Sequence, residues 1–125
     1  MKTTEELQSD LQCFTGTSKY WRFSPIFPNV LLTDGAQYVA EEMGAYWLMD
    51  VIASHLPKVK GEQFAFARLQ VENESAKFEL TDDIPAKKTW ANQKIPHTDF
   101  PLPEITLYVG DTGDGRWVIY LPREH

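Results

Sequence analysis

The spacing of apolar residues changes once along this chain of 125 residues, close to Gly61. Before that point apolar residues recur every three to four positions, as in amphipathic helices. After it they alternate with polar residues, as in strands that have one face in water. The change predicts an α+β fold: a mostly antiparallel β-sheet with one long helix packed on a face and a short N-terminal helix. The length is that of one domain, so we expect residues 1–125 to form a single globular domain.

The long helix is predicted over residues 34–56. Thr33 or Asp34 can cap its first turn, and Pro57 ends it. The short helix begins at Thr3, because Thr3 and Glu6 have the spacing of a capping box.

The second half of the long helix, residues 45–52, is apolar on nearly all sides. A helix of that kind is covered by the rest of the protein on most sides. Gly44 costs a helix about 1 kcal/mol relative to alanine, so its position predicts a close approach by another backbone or a large ring. We expect four residues to be buried between helix and sheet: Trp47, Leu48, Val51 and Ile52.

Seven runs have the composition or the alternation of strands. They cover residues 19–23, 30–32, 64–71, 76–81, 88–92, 105–109 and 117–121. The last two are joined by the turn Gly110–Gly115, so we expect them to form a hairpin. Pro96, Pro101 and Pro103 predict that the segment before this hairpin is an extended linker rather than a helix.

The chain carries 18 acidic and 12 basic side chains, a formal net charge of −6. This charge argues against a protein that binds duplex DNA by neutralising phosphates, because such proteins are usually basic. A single cysteine can form neither an internal disulfide nor a cysteine-rich zinc site. The N-terminus lacks the apolar stretch of a secretory signal, and the longest apolar run, residues 45–49, is too short to span a bilayer. We therefore expect a cytoplasmic protein with no membrane partner.

Five segments carry a resemblance to a known family. They are Phe14–Thr17, Leu32–Ala36, Gly44–Asp50, Thr98–Ile105 and the closing hairpin that ends at Leu121–Pro122. Together they resemble, over nearly the whole chain, a family of small bacterial proteins known only as a domain of unknown function. Members of that family occur on plasmids, phage and other mobile elements. The resemblance implies an accessory protein of a mobile element and assigns no catalytic residue.

Asp50 stands out among the carboxylates, because it lies in an apolar run one turn after Tyr46. A buried carboxylate is costly unless it is paired, and such groups are common at functional sites. One interpretation makes Asp50 a functional residue. The other gives it a structural bond to Lys19, Arg22, a tyrosine hydroxyl or a loop amide.

The sequence offers no convincing metal or nucleophile set. Cys13 lacks a local signature and can pack like a small apolar residue. His97 and Asp99 lie two residues apart in a proline-rich loop, which is poor spacing for metal ligands. Asp111 and Asp114 lack the regular oxygen spacing and the closing glutamate of a calcium loop. We expect no catalytic residue, no cofactor and no metal.

Two segments interleave basic and aromatic residues, Lys19–Phe23 and Lys88–Lys94. Such segments can stack single-stranded nucleic acid. They can equally be amphipathic strands with aromatic inner faces. The net charge of −6 favours the second interpretation.

The surface expected to bind a partner protein has two parts. One is the proline-bearing segment Ile95–Pro103, which loses little entropy on binding and can present an aromatic anchor. The other is the turn Asp111–Gly115. The candidate functional residues are Asp50, His97 and Phe100, and the candidate protein-binding residues are Phe100, Asp111 and Asp114. The alternative is that Phe100 folds inward and fastens the loop to the core.

The sequence thus predicts a non-catalytic accessory protein of a mobile element that binds a host protein or an element-encoded protein. One alternative is an acidic, anti-CRISPR-like inhibitor of a nucleic-acid-binding defence complex, in which carboxylates imitate phosphates. The other is a small enzyme that uses Asp50, Cys13 and a histidine.

Overall fold

The computed structural model describes residues 3–17, 19–22, 24–59, 62–83 and 87–124. Its helices in those ranges are α1 (Thr4–Leu11), α2 (Asp34–Glu42) and α3 (Tyr46–His55), with 3-10 turns at Leu56–Lys58 and Pro122–Glu124. Its strands there are β1 (Trp21–Arg22), β2 (Val30–Leu32), β3 (Phe64–Glu72), β4 (Ser75–Thr81), β5 (Thr89–Ile95), β6 (Glu104–Asp111) and β7 (Trp117–Tyr120). The α+β class predicted from the change in apolar spacing is confirmed.

The seven described strands form one sheet, in the order β1-β2-β7-β6-β3-β4-β5. Neighbouring strands are antiparallel, except for β2 and β7, which run parallel. The predicted hairpin of β6 and β7 is confirmed, with Val109 opposite Ile119. The sheet is therefore mostly antiparallel, as predicted.

One face of the sheet, here called the inner face, packs against the helices. Ile105, Leu69 and Phe78 are neighbours across β6, β3 and β4, and each is at most 7% exposed. They belong to the same buried cluster as Val39 of α2 and Ile52 of α3. The residues between them in sequence point to the opposite, outer face, because successive side chains of a strand alternate. The alternation in the sequence thus reports which face the helices cover.

The predicted long helix is wrong, because the chain breaks at Gly44 into α2 and α3. Gly44 has φ = +60°, a left-handed conformation that glycine adopts without strain. The N–H of Ala45 donates to the carbonyl of Ala40 across 2.9 Å, the bond of a Schellman C-cap. The predicted close approach is also wrong, since a Cβ on Gly44 would meet no heavy atom within 4 Å. The glycine is needed for its backbone conformation.

The break leaves α3 less enclosed than its composition predicts. Leu48 and Ile52 are at most 1% exposed, as expected. Trp47 and Val51 are only half-buried against the core. α3 therefore buries one side fully and leaves the other in contact with water.

The N-terminus of α2 is bound by a carboxylate from the far end of the chain. Glu124 accepts hydrogen bonds from the hydroxyl of Thr33 (2.6 Å), the N–H of Gly35 (3.1 Å) and the N–H of Leu121 (2.9 Å). A negative charge is stabilising there, because the first N–H groups of a helix carry partial positive charge. Thr33 is also the N-cap, since its oxygen accepts from the N–H of Ala36 across 3.2 Å.

Residues that precede β2 bind the same helix end. The N–H of Asp34 donates to the hydroxyl oxygen of Thr17 across 2.9 Å. The indole N–H of Trp21 donates to the carboxylate of Asp34 across 3.0 Å. The first turn of α2 therefore joins the N-terminal loop, β1 and the C-terminal turn.

Replacing Glu124 with alanine should lower the free energy of unfolding by about 1–3 kcal/mol, because three donors lose a charged acceptor. Urea denaturation would measure the change. The matched control is Arg123→Ala at the exposed neighbouring position, which should cost less than about 0.5 kcal/mol. Equal costs for the two variants would contradict the assignment.

The turn between β3 and β4 holds a non-glycine residue, Glu74, in a strained backbone conformation. Asn73 and Glu74 both have positive φ, 52° and 65°, as the two central residues of a type I′ hairpin do. Glycine is preferred over glutamate in that conformation, so Glu74→Gly should raise the free energy of unfolding by about 0.5–1 kcal/mol. Glu72→Gly, inside β3, should lower it. A loss of stability in the Glu74 variant would disprove the turn assignment.

Candidate functional site

The outer face of the sheet carries a group of aromatic side chains, here called the aromatic patch: Tyr20, Phe64, Phe66, Tyr108 and Tyr120. The ring centroids of Phe66 and Tyr108 lie 4.9 Å apart, and those of Tyr108 and Tyr120 lie 5.8 Å apart. Both pairs meet edge to face, the geometry that aromatic rings favour. Tyr20 is 58% exposed and Phe64 is 42% exposed. The patch therefore offers open aromatic surface on a rigid strand support.

Gly110 lies at the centre of the aromatic patch, opposite Phe64 on β3. A Cβ there would lie 3.4 Å from the ring of Tyr120 and 3.5 Å from that of Phe64. The two rings therefore cover the bare backbone of β6. A cavity of about 210 Å³ opens beside Gly110 and Tyr120 and reaches Thr17 and Glu124.

Tyr120 forms the floor of this cavity and is 8% exposed. Burial raises the pKa of its hydroxyl, and the nearby Tyr108 raises it further. The hydroxyl is therefore neutral at physiological pH. Tyr120 therefore contributes an uncharged ring to the patch.

β5 is the second surface feature, because it forms an edge of the sheet. It pairs with β4 on one side, and no described strand pairs with its other side. The edge strand at the opposite end, β1, has only two residues. β5 therefore presents the longer row of free backbone N–H and C=O groups within the described part of the chain.

The β5 edge is basic although the chain is acidic. Residues 87–98 contain three lysines and no carboxylate. The ammonium of Lys88 lies 4.1 Å from the ring centroid of Trp90, a cation–π contact. Lys94 lies directly opposite Lys77 of β4, and both are exposed. An open groove of about 900 Å³ runs beside these two lysines and past Glu104.

The inner side of the same edge carries a histidine, His55. The ring of His55 stacks on Phe78 with centroids 5.9 Å apart. Lys58 Nζ lies 3.1 Å from its Nδ1, and Gln93 Oε1 lies 2.9 Å from its Nε2. An ammonium can only donate, so Nδ1 accepts and Nε2 carries the proton that is donated to Gln93. His55 thus links the C-terminal end of α3 to β5.

Asp50 does not have the environment that the sequence predicts. It lies on the exposed side of α3, so the expected burial of its carboxylate is wrong. The apolar residues on either side of it, Met49 and Val51, contact the core, whereas Asp50 points to water. The desolvation argument for a functional role is thereby removed.

Phe100 is buried, so its expected role as an exposed binding anchor is wrong. It is 6% exposed, and its ring meets Trp47 edge to face with centroids 6.4 Å apart. Its N–H donates to the hydroxyl oxygen of Thr98 (3.2 Å), and the N–H of Thr98 donates to the carbonyl of Glu74 (2.7 Å). The alternative in which Phe100 fastens the proline-bearing loop to the core is the one observed. His97 of this loop is exposed.

Asp111 and Asp114 hold the hairpin tip together. Asp114 accepts three hydrogen bonds from Arg116, the shortest at 2.6 Å, and one from the hydroxyl of Thr112. The bonds from Arg116 are the main reason that the pKa of Asp114 lies well below its usual range. Asp111 accepts from the N–H of Gly113 across 2.7 Å. Both carboxylates are exposed but already bound within the turn.

The elements of the proposed enzyme do not come together. Cys13 is exposed, and its thiol donates to the carbonyl of Ser9 across 3.7 Å. Neither His55 nor His97, the histidines in the described ranges, is within hydrogen-bond distance of it. His125 lies outside the described residues. No group of three His, Cys, Asp or Glu side chains in the described ranges is arranged to bind a metal ion.

Sequence reasoning found the basic strand but missed the aromatic patch. The net charge favours an inward aromatic side for Lys88–Lys94, and Trp90 is half-buried against the core. The sequence does not predict that this segment forms an edge of the sheet. In Lys19–Phe23, Trp21 is half-buried and Tyr20 is exposed, while Phe23 lies outside the described residues. The signal for the patch was present in the alternation, because Phe64, Phe66 and Tyr108 occupy the polar positions of their strands.

Among the described residues, no helix is long and apolar enough to cross a bilayer.

Replacing Phe100 with alanine should lower the free energy of unfolding by about 3–5 kcal/mol, because a buried ring is lost and a cavity is left. Thermal or chemical denaturation would measure this. His97→Ala, three residues earlier and exposed, is the control and should change stability by less than about 0.5 kcal/mol. An unchanged melting temperature in the Phe100 variant would show that the ring is not part of the core.

Comparison with known proteins places the fold but not the function. The chain matches, over residues 5–125, a family described as a family of unknown function. A solved structure described as the protein of unknown function from Enterococcus faecalis is 15% identical, with a TM-score of 0.54 over 86% of this chain and 98% of its own. That similarity shows a shared fold. No curated protein matches the chain.

Proposed function

The chain belongs to that family, DUF6876, and from its surface we propose that it is a non-catalytic protein that binds another protein through the aromatic patch. In this proposal it acts in the bacterial cytoplasm as an accessory protein of a mobile element, and its partner is a host protein or an element-encoded protein. The observation that carries the proposal is the exposure of Tyr20 and Phe64 on a sheet face that the helices leave uncovered.

Aromatic side chains of this kind are the usual anchors of protein interfaces. Contiguous exposed apolar surface is uncommon on soluble proteins and marks interaction sites. Tyrosine and phenylalanine are enriched in interface centres, where a few such residues contribute most of the binding free energy. Phe66 and Tyr108 can be explained by cross-strand packing alone. Tyr20 and Phe64 expose more surface than that explanation requires.

The two alternative functions gain less from the geometry. An inhibitor that imitates nucleic acid needs free carboxylates at phosphate-like spacing. Asp111 and Asp114 are instead engaged by groups of their own turn. A small enzyme needs a nucleophile beside a base, and Cys13 has no such neighbour among the described residues.

Replacing Tyr20 and Phe64 together with serine should abolish partner capture without unfolding the protein. The immobilised wild-type protein and the double variant are exposed to the same bacterial extract, and bound proteins are compared by quantitative mass spectrometry. We expect a specific partner to be depleted at least tenfold on the variant, because the interface loses its anchors. The melting temperature of each protein is measured in parallel.

The control is Tyr46→Ser, which removes a ring that is 38% exposed on α3, away from the outer face. It should leave capture unchanged. Equal capture by the wild-type protein and the Tyr20 and Phe64 variant would overturn the proposal. If serine lowers the melting temperature, Phe64→Lys keeps a long side chain over Gly110 and repeats the test.

A further inference from the structure

We propose that the free edge of β5 binds an extended acidic segment of a partner protein, which adds to the sheet as an eighth strand. This site is separate from the aromatic patch. Each can therefore be correct or wrong without the other.

The backbone argument rests on the position of β5 in the sheet. In an antiparallel pair, every second residue of an edge strand points its N–H and C=O away from the neighbouring strand. β5 has seven residues, and no described strand pairs with its outer side. An extended peptide can satisfy those groups, as in other cases of strand addition.

Both ends of β5 are fastened, so the edge is ordered before any partner arrives. The carboxylate of Asp82 accepts from the N–H of Lys87 (3.0 Å) and the N–H of Lys88 (2.7 Å). Beyond the other end, the N–H of Thr98 donates to Glu74 in the β3–β4 turn. A fastened strand loses little entropy on binding, which favours addition of a peptide.

The charge argument selects the occupant. Lys77 and Lys94 face each other across β4 and β5, and like charges in that position weaken strand pairing. Within the described ranges neither of them forms an ion pair. On the same face of β4, the carboxylate of Glu79 lies two residues beyond Lys77, opposite Asn92 of β5. An acidic side chain opposite Lys94 on the added strand would offset the repulsion.

The groove beside this edge extends the same argument. Lys77 and Lys94 form one of its walls, and Glu72 and Glu104 lie across it. Glu104 already pairs with Arg68 at 3.5 Å. Glu72 forms no ion pair among the described residues, so the groove holds one unpaired carboxylate across from the two unpaired lysines, and the charge beside β5 is positive. A partner carboxylate fits that wall, and a partner ammonium does not.

Other occupants fit the edge less well. A second copy of this chain, paired through its own β5, would bring two lysine-rich strands together. Single-stranded nucleic acid needs open aromatic faces for stacking, and Trp90 is only partly exposed and already carries the ammonium of Lys88. Edge lysines can also serve only to prevent aggregation. That role predicts no saturable binding of an acidic peptide.

The test uses fluorescence anisotropy with a labelled eight-residue peptide of alternating glutamate and threonine. Threonine favours extended backbone, and the glutamates occupy one face of the extended peptide. We expect saturable binding to the full-length protein. A peptide in which lysine replaces each glutamate should not bind. Binding of both peptides, or of neither, would overturn the proposal.

Two protein variants test the role of charge at β5, and one modified peptide tests strand addition. Lys94→Glu should weaken binding of the acidic peptide at least tenfold, and it does not threaten folding, because it places an opposite charge across from Lys77. The matched control, Lys19→Glu, makes the same charge change outside the β4–β5 end of the sheet and should weaken binding less than twofold. An acidic peptide with alternate amide nitrogens methylated cannot hydrogen-bond to β5, so its affinity should fall at least tenfold.

Each remaining outcome rejects the proposal. Equal binding of the methylated peptide would show that charge acts without strand addition. Competition by an oligothymidylate that depends on Lys94 would assign the edge to nucleic acid. Sedimentation of the free protein as a dimer that the peptide cannot dissociate would assign the edge to a second copy.

Discussion

The carboxylate of Glu124 at the N-terminus of α2 is the contact on which the arrangement of this fold depends. α2 spans the parallel pair β2 and β7, and its first turn receives groups from both sides of that pair. The indole of Trp21 and the hydroxyl of Thr17 arrive from the N-terminal side, and Glu124 arrives from the C-terminal side. Tyr20 and Tyr120 are close in sequence to these groups, so the same contact positions one half of the aromatic patch.

The sequence predicts those parts of the fold that depend on local spacing. Alternation located β3 and β4 to within a few residues, because a half-buried strand needs that pattern wherever it lies in a sheet. The break in the long helix was missed, because a glycine within an apolar run is compatible with both a continuous helix and a C-cap. The positive φ of Gly44 and the hydrogen bond from Ala45 to Ala40 distinguish the two. The expected burial of Asp50 is wrong for a different reason. A helix turns by about 100° per residue, so a residue within an apolar run can still point to water.

The two surface features differ in how much of each the sequence contains. That β5 is an edge follows from the order of seven strands, which depends on contacts between residues far apart in sequence. The outward direction of Phe64 and Phe66 is contained in the alternation, but aromatic side chains at polar positions were not recognised as a surface group. Phe100 shows the reverse case, because its proline-rich neighbours indicated an exposed loop while Trp47 supplied a place for its ring in the core. Local composition thus identified Phe100 as unusual without assigning its ring to the surface or to the core.

The parallel pairing of β2 with β7 has a consequence for how this protein is made. β2 is synthesised before β3, β4, β5 and β6, and its partner β7 is synthesised after them. Until β7 arrives, β2 has no partner on that side, and β1 and β2 form a two-stranded ribbon that is marginal by itself. Contacts between distant residues also slow folding, because a long loop must close before they form. We therefore expect the hairpins β3–β4–β5 to form first and the β1–β2 ribbon to dock last, once β7 has been synthesised.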